Sequence, residues 1–304
     1  MIFASQKWTI GFFPHTMIVI GCTLVGVLLI LLFVTLAVDL FHLIFRFDNR
    51  TFFITVLALT ACISTYAINC AYKPTIKKVT IALPKLERSV KIVQLSDLHV
   101  GHFRGKKSLR KIVKQVNDAE PDIVVITGDC FDSWYNFNHK SVAPLENLDA
   151  HPYFVSGNHE GYVNDSSAKK LLSDVGVQIL ENQIITIDNL CIVGLSFMQE
   201  EQIETTLNAI TLDKAFPVIV LQHSPIGIEA IEKAGVDLLL AGHTHGGQLF
   251  PFTILNHYLF KYNRGLFKKD SLQLYTSVGI GTFGPPMRIG TQSEITLIEL
   301  VPQH

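Results

Sequence analysis

From Trp8 to Val38 the chain carries no Lys, Arg, Asp or Glu, and a second uncharged run extends from Thr51 to Tyr72. A helix needs roughly 20 residues to cross a hydrocarbon core of about 30 Å. The two runs therefore predict membrane-spanning helices over about 16–38 and 52–72, joined as a hairpin, with Trp8, Phe12, Phe13, Phe41, Phe45 and Tyr72 placed as interfacial aromatics. A buried helix pair in a soluble core and a cleaved secretory signal are the competing readings. The first run is too long for a signal, has no clean Ala-x-Ala site, and is soon followed by the second. Both spans are expected to remain in the mature protein.

From about Lys77 the pattern changes to short apolar strands alternating with amphipathic segments, so the chain divides into a membrane region over 1–76 and a second domain over 77–304. Five continuous apolar runs end in polar residues: Val90–Leu95, Ile123–Thr127, Tyr153–Ser156, Val218–Gln222 and Asp237–Ala241. Continuous apolar runs are the mark of strands buried on both faces, and open α/β folds place their sites at the carboxyl ends of such strands. Leu109, Ile112, Val113 and Val116 have helical spacing, as do Ala168, Leu171 and Leu172, and residues 201–210 and 226–234 are further helix candidates. Strands over Ile184–Ile187, Cys191–Leu195, Leu272–Thr276 and Glu294–Leu300 exceed what one doubly wound sheet needs. Two sheets face to face with helices outside accommodate them. The poorly patterned stretch Asp132–Asn147 is expected to loop near the site.

Charge changes the picture in two ways. Twenty-five basic against 26 acidic residues over 304 positions point to no polyanionic partner, so nucleic acid binding is not expected. The hairpin loop holds Arg46 and Arg50, against Lys7 on one flank and Lys73, Lys77, Lys78, Lys85 and Arg88 on the other. The positive-inside tendency then puts both termini and the second domain in the cytoplasm. The five cysteines show no disulfide or zinc spacing and read as small buried hydrophobes.

Five motifs carry the candidate chemistry: Asp97-Leu98-His99, Gly128-Asp129, Gly157-Asn158-His159-Glu160, Gln222-His223-Ser224 and Gly242-His243-Thr244-His245. Each alone is weak. Their shared place at strand ends makes them a set of carboxylates, an amide and imidazoles suited to two transition-metal ions with phosphate chemistry between them. Two cations about 3.5 to 4 Å apart need a bridging carboxylate and a bridging hydroxide to offset their repulsion, and that hydroxide is an in-line nucleophile at neutral pH. Imidazole with Asp and Asn oxygens favours Mn, with Fe or Zn as rivals.

On these motifs the chain from about Val79 to Leu300 resembles the calcineurin-like metallophosphoesterase family. The run Val90–Gly101, the box Gly242–Gln248 and the ending Gly281–Leu300 resemble its membrane-associated bacterial branch, which includes enzymes cleaving UDP-diacylglucosamine in lipid A synthesis. The resemblance implies a four-layer α/β/β/α sandwich. It implies that Asp97, His99 and His245 hold one ion, that Asn158, His223 and His243 hold the other, that Asp129 bridges them, and that His159 stabilises or protonates the leaving oxygen. It also implies a bacterial inner membrane location. Two departures stand out: Asp149–Tyr153 lacks the usual Gly, and Ser293 stands where Pro often precedes Glu294.

Around these positions the sequence leaves roles open. Glu160 would orient His159 or cap a following turn, and Asp132 would hold a ligand His or be a plain loop residue. Arg288 is a candidate phosphate contact, or else a surface ion pair. Arg104, Lys106 and Lys107 would meet a substrate headgroup or the membrane surface, or form the solvated start of a helix. Gly246 and Gly247 would permit close backbone approach. The leading expectation is a bilayer-anchored hydrolase of a lipid-linked phosphodiester or pyrophosphate, UDP-diacylglucosamine first. An anchored phosphodiesterase or phosphatase for soluble substrates and a non-catalytic scaffold are the alternatives.

Overall fold

The computed structural model describes residues 11–187 and 189–303; Lys7 and Trp8 lie outside them. Two long helices come first, α1 (Phe12–Phe45) and α2 (Asn49–Tyr72). Arg46 stops α1 in the left-handed region at φ 41°, and the Asp48 side chain starts α2 by accepting the Thr51 N–H at 3.1 Å. Both helices are long and apolar enough to cross a membrane. They extend the predicted spans at their ends, most of all α1, whose 34 residues measure about 51 Å at 1.5 Å each.

The rest of the chain forms two six-stranded sheets. The first contains β1 (Thr75–Leu83), β2 (Val90–Leu95), β3 (Ile123–Thr127), β4 (Pro152–Val155), β5 (Gln178–Ile179) and β12 (Glu294–Pro302), in the order β1-β12-β2-β3-β4-β5. The second contains β6 (Gln183–Ile187), β7 (Leu190–Gly194), β8 (Val218–Leu221), β9 (Leu238–Ala241), β10 (Gly265–Lys269) and β11 (Leu272–Thr276), in the order β10-β11-β9-β8-β7-β6. The central neighbours β2, β3 and β4 run parallel, as do β7, β8 and β9; antiparallel pairs close both margins of the second sheet, while in the first the one antiparallel pair is β12 with β2 and the margins β1 and β5 pair in parallel.

Alternating residues of each buried strand serve two cores. Ile92 and Val125 face Ile219 and Leu240 between the sheets, whereas Val93 and Val124 pack outward. There they meet Leu109, Ile112 and Val116 of α3 (Lys106–Asn117) and Leu172 of α6 (Asp165–Ser173). On the far side, α7 (Glu200–Asn208) and α8 (Ile228–Lys233) cover Val193, Val220 and Leu239 through Ile203, Leu207 and Ile231. The expected α/β/β/α layering is therefore present. Gln94 ties the sheets together at their ligand-bearing ends, its amide donating to Thr127 Oγ1 and to the Ala241 carbonyl, both at 2.9 Å. Three short helices complete the chain: α4 (His139–Val142) within the Asp132–Asn147 stretch, α5 (Glu160–Val163), and α9 (Phe252–Leu259).

The hairpin is fastened to this sandwich. The Ala67 and Cys70 carbonyls of α2 accept N–H groups of Arg288 and Ser293 at 2.9 and 3.2 Å. The Ser293 hydroxyl lies 2.6 Å from the carbonyls of both Ala71 and Ile280, so the residue that departs from the family pattern is one that binds the helix. Arg104 corrects the expectation of a headgroup contact: it is buried, and its guanidinium donates to the Ala71 carbonyl. Lys106 and Lys107 do begin a helix, α3. Ile30 and Val34 of α1 and Val56 and Ala67 of α2 share one apolar cluster with Leu249 and Met287 of the sandwich.

At Gly26, α1 packs tightly against the Pro285–Met287 segment. A Cβ built there would stand 2.7 Å from Met287 Sδ and 3.0 Å from Pro285 Cβ, while one at Gly21 would meet nothing within 4 Å. Gly26→Leu is therefore expected to cost about 1–3 kcal/mol by overpacking and to lower the thermal midpoint of the detergent-solubilised protein. Gly21→Leu is expected to leave it in place, and equal midpoints for the two variants would contradict this packing.

Candidate metal centre

The expected ligands converge from both sheets. Asp97 and His99 follow β2, Asp129 follows β3, Asn158 follows β4, His223 follows β8, and His243 and His245 follow β9. Asp97, His99 and His245 offer ligand atoms that all lie within 4.8 Å of one another, and Asp129, His223 and His243 form a second such group. Asn158 Oδ1 joins the second, 3.2 Å from His223 Nε2. Asp129 Oδ2 stands between the groups, 3.2 Å from His223 Nε2 and 3.9 Å from His99 Nε2.

This convergence strains the backbone. Asp97, His99, Asp129, His243 and His245 all have φ between 48° and 72°, a region that costs a non-glycine residue on the order of 1–3 kcal/mol. Two glycines make the turns possible. A Cβ on Gly157 would lie 2.2 Å from Asp129 Oδ1, and one on Gly247, itself at φ 78°, would lie 2.6 Å from the Phe252 carbonyl.

Two buried residues hold the strained loops, and both correct the sequence expectations. Arg288 is fully buried, not a phosphate contact: Nη2 donates to the carbonyls of Val278 and Gly281, each at 2.7 Å, and lies 3.3 Å from His245 Nδ1. Its guanidinium braces the His245 loop and is turned away from solvent. Glu160 is also fully buried, and its carboxylate accepts N–H groups from Gly157 at 2.7 Å, Cys130 at 2.8 Å, Asp129 at 3.0 Å and Phe131 at 3.2 Å. It neither orients the His159 ring nor caps a following turn; it clamps the loops after β3 and β4 to each other. Both roles are tertiary, and nothing in the local sequence announces them.

Asp132 does sit at the site. Its Oδ1 lies 3.2 Å from His99 Nδ1 and 3.4 Å from His159 Nδ1, so one carboxylate faces two rings whose Nε2 atoms turn toward Asp129.

The donor set suits divalent cations. Asp97 Oδ1 is buried with no hydrogen-bond partner and lies 3.4 Å from His245 Nε2. His99 Nε2 faces His245 Nε2 at 3.2 Å, and His223 Nε2 faces His243 Nδ1 at 3.2 Å. Lone pairs aimed at one another in a buried space are satisfied by a shared cation. Without one the charges act on each other. Burial opposes ionisation of Asp129, yet the charges of His223, His159 and His99 hold its carboxyl well below the usual range. Burial lowers His223, but the charge and hydrogen bond of Asp129 outweigh it and raise the imidazole to about 10. For His245 burial dominates, with His99 and Arg288 adding to it, and its pKa falls to about 3. His159 is raised, because Asp132 and Asp129 outweigh its burial.

The space beside the ligands is walled by α1. A cavity of about 410 Å³ is bounded by Asp129, Asn158, His159, His243 and His245 on one side and by Val25 and Leu29 of α1, Leu249, Phe252, Phe283 and Pro285 on the other. A smaller cavity of about 150 Å³ on the other side of His159 and Phe283 is bounded by Ile18 and Cys22 of α1. His15 of α1 stacks on Tyr135 at 4.1 Å between ring centroids, and Tyr135 stacks on His102. Ile18, Cys22, Val25 and Leu29 of α1 thus line the two cavities beside the ligands.

Residues 90–247, over half of the chain, match the family described as calcineurin-like phosphoesterase. The chain belongs to this family. Among its relatives is a transmembrane protein with metallophosphoesterase domain from Danio rerio, 31% identical over 324 residues that include 94% of this chain and 74% of that protein. A bovine protein of the same name is 33% identical over 81% of this chain, and an uncharacterized metallophosphoesterase of Helicobacter pylori is 36% identical over 76% of it. This chain spans 62% and 65% of the lengths of those two proteins. A solved dimetal phosphatase from Danio rerio overlaps 66% of this chain and 90% of its own at 15% identity, with a TM-score of 0.39. Family and donor set together make this phosphoesterase a metal-dependent phosphoester hydrolase. Its relatives come from vertebrates as well as bacteria, so the membership carries neither a lipid A role nor a bacterial membrane with it.

Because His223 is protonated below about pH 10 in the metal-free protein and a ligand imidazole must be neutral, metal uptake should release a proton. Titration calorimetry at pH 8 in buffers of different ionisation enthalpy should read release of at least one proton, His223 giving one and ionised metal-bound water a second, with affinity rising with pH; uptake without release would contradict the assignment. In Glu160→Gln the amide NH₂ replaces one of the two acceptors, at about 1–3 kcal/mol for each backbone N–H left unpaired. Both the thermal midpoint and the bound metal should fall, and a variant unchanged in both would show that the clamp is dispensable.

Proposed function

We propose that this phosphoesterase is membrane-anchored and hydrolyses a phosphodiester or pyrophosphate bond on a lipid-linked substrate. The observation that carries the reading is the shared cavity: catalytic side chains line one wall and α1, long and apolar enough to cross a membrane, lines another. A water-soluble substrate needs no such wall. The α2 end is also fastened directly to the sandwich through Arg104 and Ser293, which holds the site near the bilayer and raises the effective concentration of lipid headgroups.

In this reading Asp97, His99 and His245 would hold one divalent ion, Asn158, His223 and His243 would hold the second, and Asp129 would be shared between them. Their mixed nitrogen and oxygen donors favour Mn, with Fe and Zn as rivals. When bound, the ions supply Lewis acidity at the phosphate and a nucleophile from water at neutral pH. The protein does the rest. His159, with Nδ1 toward Asp132 and a raised pKa, offers its protonated Nε2 to the leaving oxygen. Glu160 and Arg288 keep the ligand loops fixed while charge develops. UDP-diacylglucosamine is the leading candidate substrate, the membrane is the place of action, and the positive flanks favour a cytoplasmic catalytic domain.

The test is Mn-dependent hydrolysis of UDP-diacylglucosamine in mixed micelles beside a water-soluble aryl phosphodiester. The wild type should release UMP and prefer the lipid, His159→Ala should lose about 10²- to 10⁴-fold in kcat, and Asp129→Ala should lose activity together with metal. Aryl cleavage without UMP release would remove that substrate. Indifference to every lipid-linked phosphate tried would remove the lipid reading.

A further inference from the structure

The apolar half of the metal-site cavity has a chemistry of its own. Beyond the ligands and His159 its lining holds Thr244, Gly247 and Gln248, whose hydroxyl and amide are engaged by the Asn263, Phe283 and Pro285 backbone, and six residues, Val25, Leu29, Leu249, Phe252, Phe283 and Pro285, whose side chains neither donate nor accept a hydrogen bond. Its volume of about 410 Å³ falls in the range of small-molecule sites, roughly 300–1,000 Å³. A phosphate group satisfies only the ligand-bearing end. The other end requires an apolar moiety on the same molecule, or it exposes hydrocarbon to water.

Two elements form this end, and each carries apolar surface away from the cavity as well. Val25 and Leu29 belong to α1, whose adjoining flank exposes Leu24, Leu28 and Leu32, and Val25 is itself 50% exposed. Phe252 opens α9, in which Leu255 is 52%, Leu259 67% and Tyr258 80% exposed. A short helix with that much apolar surface facing outward lacks a cover in water, whereas a bilayer boundary supplies one. α9 is also held to the metal loop: Asn256 Nδ2 donates to the Thr244 carbonyl at 3.1 Å. Val25 and Leu29 of α1 and Phe252 of α9 line the same cavity.

We propose that the cavity between α1 and α9 is an acyl-chain site that opens sideways into the bilayer, α9 lying in the membrane interface beside α1. A lipid then keeps one chain against Val25, Leu29 and Phe252 while its phosphate reaches the ligands at the strand ends. The inference builds on the lipid-phosphate reading and gives it a route: the substrate need not leave the membrane. No bond changes in this step, and the chain passes from bilayer hydrocarbon to an apolar protein lining without crossing water.

The test uses the full chain, loaded with Mn, in lipid nanodiscs, with a non-hydrolysable phosphonate lipid bearing a diazirine in its acyl chain. After irradiation, mass spectrometry should find adducts on the peptides containing Val25, Leu29 and Phe252, several-fold above those left by a diacylglycerol probe of the same chain length. Leu29→Trp should reduce the adducts at Val25 and Phe252 several-fold and leave labelling of the bilayer-facing Leu36 and Leu40 unchanged. Adducts confined to bilayer-facing positions, or equal labelling by the two probes, would overturn the site. No turnover is read, so cavity labelling in a protein that hydrolyses no lipid would sink the substrate reading alone, and lipid hydrolysis without cavity labelling would sink the acyl site alone.

Discussion

The structure depends on holding Asp97, Asp129 and a ring of imidazoles within a few ångströms of one another, out of water. Asp97 is fully buried and Asp129 is 2% exposed. Left to themselves such groups repel, shift their protonation and demand partners. The raised His223 and the depressed His245 are two answers to the same crowding. The surrounding fold supplies what that concentration of charge requires. Five ligand-bearing positions accept left-handed backbone, Glu160 and Arg288 clamp the loops from behind through backbone hydrogen bonds, and Gln94 pins one sheet to the other beneath them.

The same economy explains why α1 matters to a site it does not ligate. Strand ends leave a ligand cluster open on one side, and in this chain an apolar helix closes that side. Gly26 lets α1 approach the Pro285–Met287 segment, and the α2 end is tied down through Ser293 and Arg104. The helix hairpin and the catalytic fold thus share the wall of the metal-site cavity.

Much of this was legible in the sequence where one physical cause acts locally. Buried strands had to be continuous apolar runs, so β2, β3, β8 and β9 could be read almost residue by residue, along with the polar side chains at their ends. Two long uncharged runs could only be long apolar helices. The elements that escaped lack such a signal. β1 lies at a sheet margin with most residues exposed, β10 has no fully buried position, and the apolar residues of α9 face outward instead of defining a core. Arg288, Arg104 and Glu160 were misjudged because charged residues are usually solvated, and their partners are backbone groups far away in sequence. The docking of α1 onto the site was equally silent, since a helix that faces lipid and one that faces a cavity have the same composition.

The most direct test of the account is the metal content of the purified full chain, measured as ions per protein after expression in Mn-supplemented medium, with an electron paramagnetic resonance spectrum of the same sample. Two ions per chain and the spectrum of an exchange-coupled pair are the expected result. A single isolated ion, or a fully folded protein that binds none, would contradict the proposal that the crowded carboxylates and imidazoles exist to hold a dinuclear centre.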